Sequence, residues 1–250
     1  MKRLAAAFAG VLLLAAPCGR AAEPGKITQE KITSRGKARA YALYVPTGAP
    51  ADAKLPLLVL LHGSTSRGER ILSIWKDEAE KQKIVLAGPD SIDQVHWASP
   101  WDGPLFLHDI VEEVASKHPI DRRRIYLFGH SAGAVFALQM AALESEYFAA
   151  AVIHAGSLYP ENFRLFGYAT RKIPYFLIIG TKDQFFPLSE VRATRDALKV
   201  RGFPVEYLEI PGYDHGYKAR AGEINPRAWD FLQRNPLPAE PKYTVYQDPG

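Results

Sequence analysis

The pentapeptide Gly129-His130-Ser131-Ala132-Gly133 follows the apolar run Ile125-Tyr126-Leu127-Phe128 and precedes the helix-forming residues 134–143. A serine between two glycines at a strand-to-helix turn is the arrangement that exposes a hydroxyl for nucleophilic attack, which makes Ser131 the candidate nucleophile. The turn must be sharp enough to lift that hydroxyl clear of the backbone. Neighbouring chain then comes so close that the flanking positions must be small, a need that Gly129 and Gly133 meet. The helix beginning here also aims backbone N–H groups and the positive end of its dipole at charge developing beside Ser131. The turn is therefore half of an oxyanion hole, with the N–H of Ala132 as one donor.

A Gly-Ser turn before a helix is also an ordinary N-cap, so the rest of the constellation matters. A serine nucleophile of this kind needs an acid after a later strand and a histidine later still. Residues 175–179 form a short apolar strand ending in Gly180-Thr181-Lys182-Asp183, and Asp183 is the expected acid. The next strand, 205–210, runs into Pro211-Gly212-Tyr213-Asp214-His215-Gly216, and His215 is the expected base. Asp214 adjoins His215 and is badly placed to orient it; it braces the loop instead. His130, inside the turn, is expected to point toward the sheet, and His154 ends a strand with no suitable acid after it, so both read as structural. Residues 57–61 read as a buried parallel strand running into His62-Gly63-Ser64-Thr65, where the N–H of Ser64 is the expected second oxyanion donor. His62 is expected to hold this turn by hydrogen bonding rather than to move a proton.

Positioning these groups takes alternating strands and helices. Two N-terminal strands fall at about 27–33 and 39–45, and core strands near 57–61, 84–87, 125–128, 150–154, 175–179 and 205–210. Helices fall near 69–82, 105–117, 132–143, 188–200 and 226–233. The pattern predicts an α/β fold with a mostly parallel, doubly wound sheet and helices on both faces. Residues 119–121 introduce the nucleophile strand, and Arg122-Arg123-Arg124 read as a solvated turn. Sites in such sheets lie beyond the C-terminal ends of the strands, so the loops there set specificity. The loop 88–103 carries Trp97 and Trp101, each either an aromatic wall of the site or packed on neighbouring helices. Phe185 and Phe186, directly after the acid, either line the site or join the core. The insertion 156–174 is long enough for no more than a small flap, which predicts an open site with little or no lid.

The 250 residues, 47% hydrophobic, suffice for one well-buried domain and show no internal repeat. Met1-Lys2-Arg3, the apolar run 4–16 and the small-residue segment 19–22 have the three parts of a secretory signal, with cleavage after Ala21 or Ala22. The alternative, a membrane helix, needs a longer run. The expected organisation is thus a signal at 1–22, a catalytic domain at 23–235 and an extended tail at 236–250. Export to the periplasm or beyond follows, with no stable membrane association after the signal is removed. Cys18, the only cysteine, leaves with the signal; Pro17 before it argues against lipidation, and no disulfide remains. The net charge of +4 includes Lys2, Arg3 and Arg20 of that segment, so no nucleic-acid partner is expected. No metal-ligand cluster, phosphate-cradling loop or dinucleotide fingerprint is visible, and no cofactor is expected. Oligomeric state is not legible.

With His62-Gly63, the elbow at 129–133, Asp183 and His215 in that order across most of residues 40–235, the chain resembles the α/β-hydrolase superfamily. Val45-Pro46 before the first core strand, the short lid region and Phe185-Phe186-Pro187 after the acid are similar to secreted esterases of the polyhydroxybutyrate-depolymerase, feruloyl-esterase and phospholipase/carboxylesterase groups. Ala134 stands where depolymerases often carry a further glycine, so polymer specificity does not carry over. Ser131 stands where the similar dienelactone hydrolases use cysteine. The resemblance implies a serine esterase working through an acyl-enzyme on a small-molecule or polymer-derived ester. Its rivals are a serine oligopeptidase, which usually carries a separate propeller domain, and a non-catalytic binding protein on a hydrolase scaffold.

Overall fold

Leu55–Leu61 is apolar or proline throughout and buried throughout, as a strand covered on both faces must be. In the computed structural model, which describes residues 23–50 and 52–244, this segment (β3) is central to an eight-stranded sheet. The strands are β1 (Ile27–Ser34), β2 (Lys37–Tyr44), β3, β4 (Val85–Pro89), β5 (Ile120–His130), β6 (Ala151–His154), β7 (Tyr175–Gly180) and β8 (Val205–Ile210), in the spatial order β1-β2-β4-β3-β5-β6-β7-β8. The pairs β1/β2 and β2/β4 are antiparallel, and all others are parallel. This is the α/β-hydrolase fold. The expected signal segment 1–22 lies outside the described residues.

Alternation along β3 sorts the two faces of the sheet. Leu57, Val59 and Leu61 face a core shared with α2 (Pro104–Lys117), α3 (Ala132–Leu143) and α4 (Leu188–Val200). Leu58 and Leu60 face a second core built with α1 (Gly68–Gln82) and α5 (Ala221–Gln233). Each such buried aliphatic side chain stabilises the fold by roughly 1.5–3 kcal/mol, and a shift of one residue in register would exchange the two cores. The sheet therefore holds its C-terminal strand ends in fixed register, which is where the candidate site lies.

Two expectations need correction. The arginines at 122–124 are not a turn: β5 begins at Ile120, which pairs with Leu55 across a bulge. Their side chains are committed to structure, since Arg122 grips Glu112 with two hydrogen bonds, Arg123 donates to the carbonyl of Leu237 and Arg124 bonds Asp121 and the carbonyl of Lys54. The last helix starts at Ala221 and carries Pro226 inside its first turns, where the lost N–H removes one helical hydrogen bond. The C-terminal stretch is extended and packed through residue 244: Leu237 is buried, the Lys242 N–H bonds the Glu146 carbonyl, and the Tyr243 ring stacks 3.9 Å from that of His108.

Candidate active site

Ser131 sits between the end of β5 and the start of α3 with φ 57° and ψ −121°. A non-glycine residue in that region is strained by about 1–3 kcal/mol and persists only where its surroundings enforce it. The enforcement is visible. A Cβ on Gly133 would stand 2.0 Å from the Leu61 carbonyl oxygen, and one on Gly129 would stand 2.2 Å from that of Gly133. The Ser131 N–H is tied to the His154 carbonyl at 3.1 Å. Both glycines are thus required by close backbone approach, as the sequence predicts.

The strand ends bring three distant side chains into one hydrogen-bonded line. Ser131 Oγ lies 2.9 Å from His215 Nε2, and His215 Nδ1 lies 2.7 Å from Asp183 Oδ2. The Asp183 side chain is fully buried, and its other oxygen accepts the N–H groups of Phe185 and Phe186, both at 2.9 Å. Those two bonds leave Oδ2 aimed at the imidazole. Asp214 is turned away, its carboxylate accepting the N–H of Gly216. Chemically, the line can draw a proton from a hydroxyl into an imidazole whose tautomer a buried carboxylate dictates.

Ser64 and Ala132, the residues expected to supply the oxyanion donors, line the same cleft as Ser131. The Ala132 N–H opens α3 and so has no acceptor within its own helix. The Ser64 N–H takes up no hydrogen bond among the described residues, while the Ser64 hydroxyl is fixed to the Val95 carbonyl at 2.5 Å. The turn carrying Ser64 is held by His62, whose Nδ1–H donates to the Gly63 carbonyl at 2.8 Å and whose Nε2 accepts the Ser91 N–H at 3.2 Å. Burial lowers the pKa of His62, which keeps the ring in the neutral form this pair of bonds requires.

The cleft around Ser131 encloses about 970 Å³. Trp97, Phe185 and Phe186 line it, as does His215. The Trp97 indole stacks on Phe136 at 4.7 Å between ring centres, and its N–H bonds the His62 carbonyl, so this wall is fixed at both ends. Phe185 is 66% exposed at the rim and meets the His215 ring in a T-shaped contact with ring centres 4.8 Å apart; Phe186 lies nearly parallel to that ring at 5.8 Å between centres. Trp101 does not reach the cleft. Its ring is taken by the ammonium of Lys37 at 4.2 Å, because the next residue, Asp102, is pulled inward by Arg39. The fully buried Asp102 carboxylate also accepts the N–H groups of Ile92 and Ala98, and so ties down the loop that carries Trp97. No local pattern announces this pair, since Arg39 lies in β2. The 156–174 insertion forms a 3₁₀ run over Pro160–Tyr168, anchored where Thr194 bonds the N–H of Leu158 at 3.0 Å.

His130 is not turned away from the site. Its ring centre lies 5.0 Å from that of His215, and its Nδ1 shares a hydrogen bond of 2.8 Å with Nδ1 of His154. One ring must donate and the other accept. Burial, then the proximity of His215, pushes His130 down to about 3, and burial together with the two other rings holds His154 well below its usual range. Both are neutral in the folded protein where the unfolded chain, at about 6.5, would protonate them. The unfolded state therefore binds more protons below that pH, and stability falls as pH drops, by up to about 1.4 kcal/mol per unit for each ring. Melting temperature followed from neutral pH to about 4.5 should decline, and His154→Asn, which keeps an acceptor for His130 but cannot titrate, should flatten the decline. An unchanged slope in the variant would rule the pair out as its source.

Residues 105–221 match the Phospholipase/Carboxylesterase family. The chain is 29% identical over 174 residues to NocK of Nocardia uniformis subsp. tsuyamanensis, named as a candidate esterase, covering 64% of this chain and 49% of that one. It is 33% identical over 129 residues to poly(3-hydroxyalkanoate) depolymerase C of Paucimonas lemoignei, covering 46% of this chain and 31% of the other. The chain thus spans half or less of the length of these curated relatives. Among solved structures it is similar to FphF, a fluorophosphonate-binding serine hydrolase of Staphylococcus aureus, with a TM-score of 0.70 and 17% identity over 84% of this chain and 99% of that one.

Proposed function

We propose that this chain, which has the α/β-hydrolase fold and matches the Phospholipase/Carboxylesterase family over residues 105–221, is a serine esterase acting through a covalent acyl-enzyme. The observation that carries the reading is the unbroken line from Ser131 Oγ through both nitrogens of His215 to the buried Asp183. In this reading His215 Nε2 takes the Ser131 proton as Oγ attacks the ester carbonyl, and Asp183 stabilises the imidazolium and fixes its tautomer. The N–H groups of Ser64 and Ala132 hold the carbonyl oxygen as it becomes an oxyanion, a contribution of roughly 3–4 kcal/mol for each well-placed donor. Collapse of the intermediate expels the alcohol, which leaves with the proton from His215. Water then attacks the acyl-enzyme, giving its proton to His215, and a second collapse frees the acid and restores the Ser131 hydroxyl. Residues 1–22 fit an export signal, so the mature enzyme acts outside the cytoplasm; among the described residues no helix is long and apolar enough to cross a membrane.

Hydrolysis of p-nitrophenyl esters of graded acyl length, beside the matching p-nitroanilides, tests this. Turnover of esters with slow or absent turnover of amides is the expected result. Folded protein that cleaves no ester would overturn the reading, and preference for the amides would favour an oligopeptidase. The stacked wall makes a finer prediction. Trp97→Ala should lower kcat/KM for aromatic or long acyl chains by about five- to tenfold and for acetyl by less than about twofold, since only the larger groups reach the lost surface. Equal losses on all esters would remove Trp97 from the acyl pocket.

A further inference from the structure

The cleft has two chemically different halves. One is the aromatic wall of Trp97 and Phe136. The other is built where α1 meets the segment after His215, from Arg70, Ile71 and Ile74 on one side and Tyr217, Lys218 and Ala219 on the other. These two segments are stitched together: Tyr217 Oη donates to the Asn225 carbonyl oxygen, and the Asn225 amide donates to the Ile74 carbonyl at 3.0 Å. The neighbouring charges are already engaged. Arg67 pairs with Asp90 and Arg220 with Glu223, the Glu69 carboxylate accepts from Gln29, and that of Asp214 accepts the Gly216 N–H. Glu190, which also lines the cleft, belongs to α4 and bonds Ser157. Arg70 and Lys218 are the cations left over: both are exposed, both line the cleft, and neither makes an ion pair or side-chain hydrogen bond among the described residues.

We propose that Arg70 and Lys218 form a subsite for an anionic group, a carboxylate or a phosphate, carried by the alcohol portion of the ester. The assignment rests on the esterase reading and extends it. The leaving oxygen must take its proton from His215 Nε2, so the alcohol departs along the wall built by the residues that directly follow His215, and Lys218 is on that wall. Ile71, Ile74 and Ala219 give this half an apolar floor for a short linker, with the two cations at its margin. Exposed cations do not bind an anion tightly, but two on the margin of one cleft select for it, at about two- to fivefold each, in a way that salt screens.

The test compares the butyryl esters of p-nitrophenol and of 4-hydroxy-3-nitrobenzoate, whose leaving group carries a carboxylate. The ratio of kcat/KM for the anionic to the neutral ester is read in the wild type, in Arg70→Gln, in Lys218→Gln and in the double variant. The ratio should fall about two- to fivefold in each single variant and by roughly tenfold in the double variant, and added salt should lower it most in the wild type, less in each single variant and not in the double variant. Arg67→Gln, whose guanidinium is occupied by Asp90, should leave the ratio in place. A butyryl ester of glycerol 3-phosphate, followed by acid release, separates the sources: a larger drop on this ester than on the benzoate assigns the subsite to phosphate, and the reverse assigns it to carboxylate. Both esters cleaved with a ratio that none of the variants moves would overturn the subsite while leaving the esterase intact. No turnover of either ester would overturn the esterase reading and the subsite with it.

Discussion

Ser131→Ala should reduce kcat on every ester by about 10⁵- to 10⁶-fold and leave melting temperature within about 3 °C of the parent. The two halves of this expectation have separate causes. Loss of Oγ removes the hydroxyl that His215 Nε2 contacts at 2.9 Å, so no acyl-enzyme forms and His215 and Asp183 have nothing to act through. The oxyanion donors remain, which is why a residual rate above that of water should survive. Stability should hold because alanine occupies the same strained backbone as serine, and because the N–H of residue 131 keeps its bond to the His154 carbonyl. A fluorophosphonate probe gives a second readout, since it should add its mass to the parent protein at Ser131 and to none of the variant. A variant that retains a tenth of the activity, or is still labelled, would mean that another residue is the nucleophile.

How much of this was legible in the sequence depends on how local the cause is. The elbow was legible because its cause is steric and confined to five residues: glycines where a Cβ would meet backbone at about 2 Å, between an apolar strand and a helix. Asp183 and His215 could be placed in sequence because each sits in the loop that follows a short strand, and β7 and β8 pair in register from Tyr175 and Val205 to Gly180 and Ile210. What failed was set across the sheet. The start of β5 at Ile120 depends on its partner Leu55, and three consecutive arginines disguise it. Trp97 and Trp101 were indistinguishable in sequence; they part because Asp102 is drawn to Arg39 in β2, leaving one indole over the cleft and the other over Lys37. His130 was expected to turn toward the sheet because nothing local shows that β5 and β6 place it beside His154, with its ring centre 5.0 Å from that of His215. The Arg70–Lys218 margin joins segments about 150 residues apart and left no trace in the pattern.

The same dependence on placement makes Asp183→Asn the most discriminating change after Ser131→Ala, with an expected loss of about 10⁴-fold in kcat on all esters alike. Asp183 Oδ1 accepts two backbone N–H groups, from Phe185 and Phe186, so an asparagine there must turn its carbonyl oxygen toward them to avoid setting donor against donor. Its NH₂ then faces His215 Nδ1, where the carboxylate had accepted. The imidazole can meet a donor only by moving its proton to Nε2, and in that tautomer it offers Ser131 a hydrogen where a base is needed. The fold should tolerate the change, because a buried charge is replaced by a neutral group of the same shape that keeps both backbone bonds. The decisive readouts are therefore kcat beside melting temperature, together with the ¹⁵N shifts of the His215 ring, which report the tautomer directly. A loss near 10⁴ with an Nε2–H ring would tie the rate to Asp183 through the histidine. A loss under about tenfold, with the ring still protonated at Nδ1, would show that some other acceptor orients it. Asp214 would be a poor substitute, because its carboxylate is already committed to the Gly216 N–H.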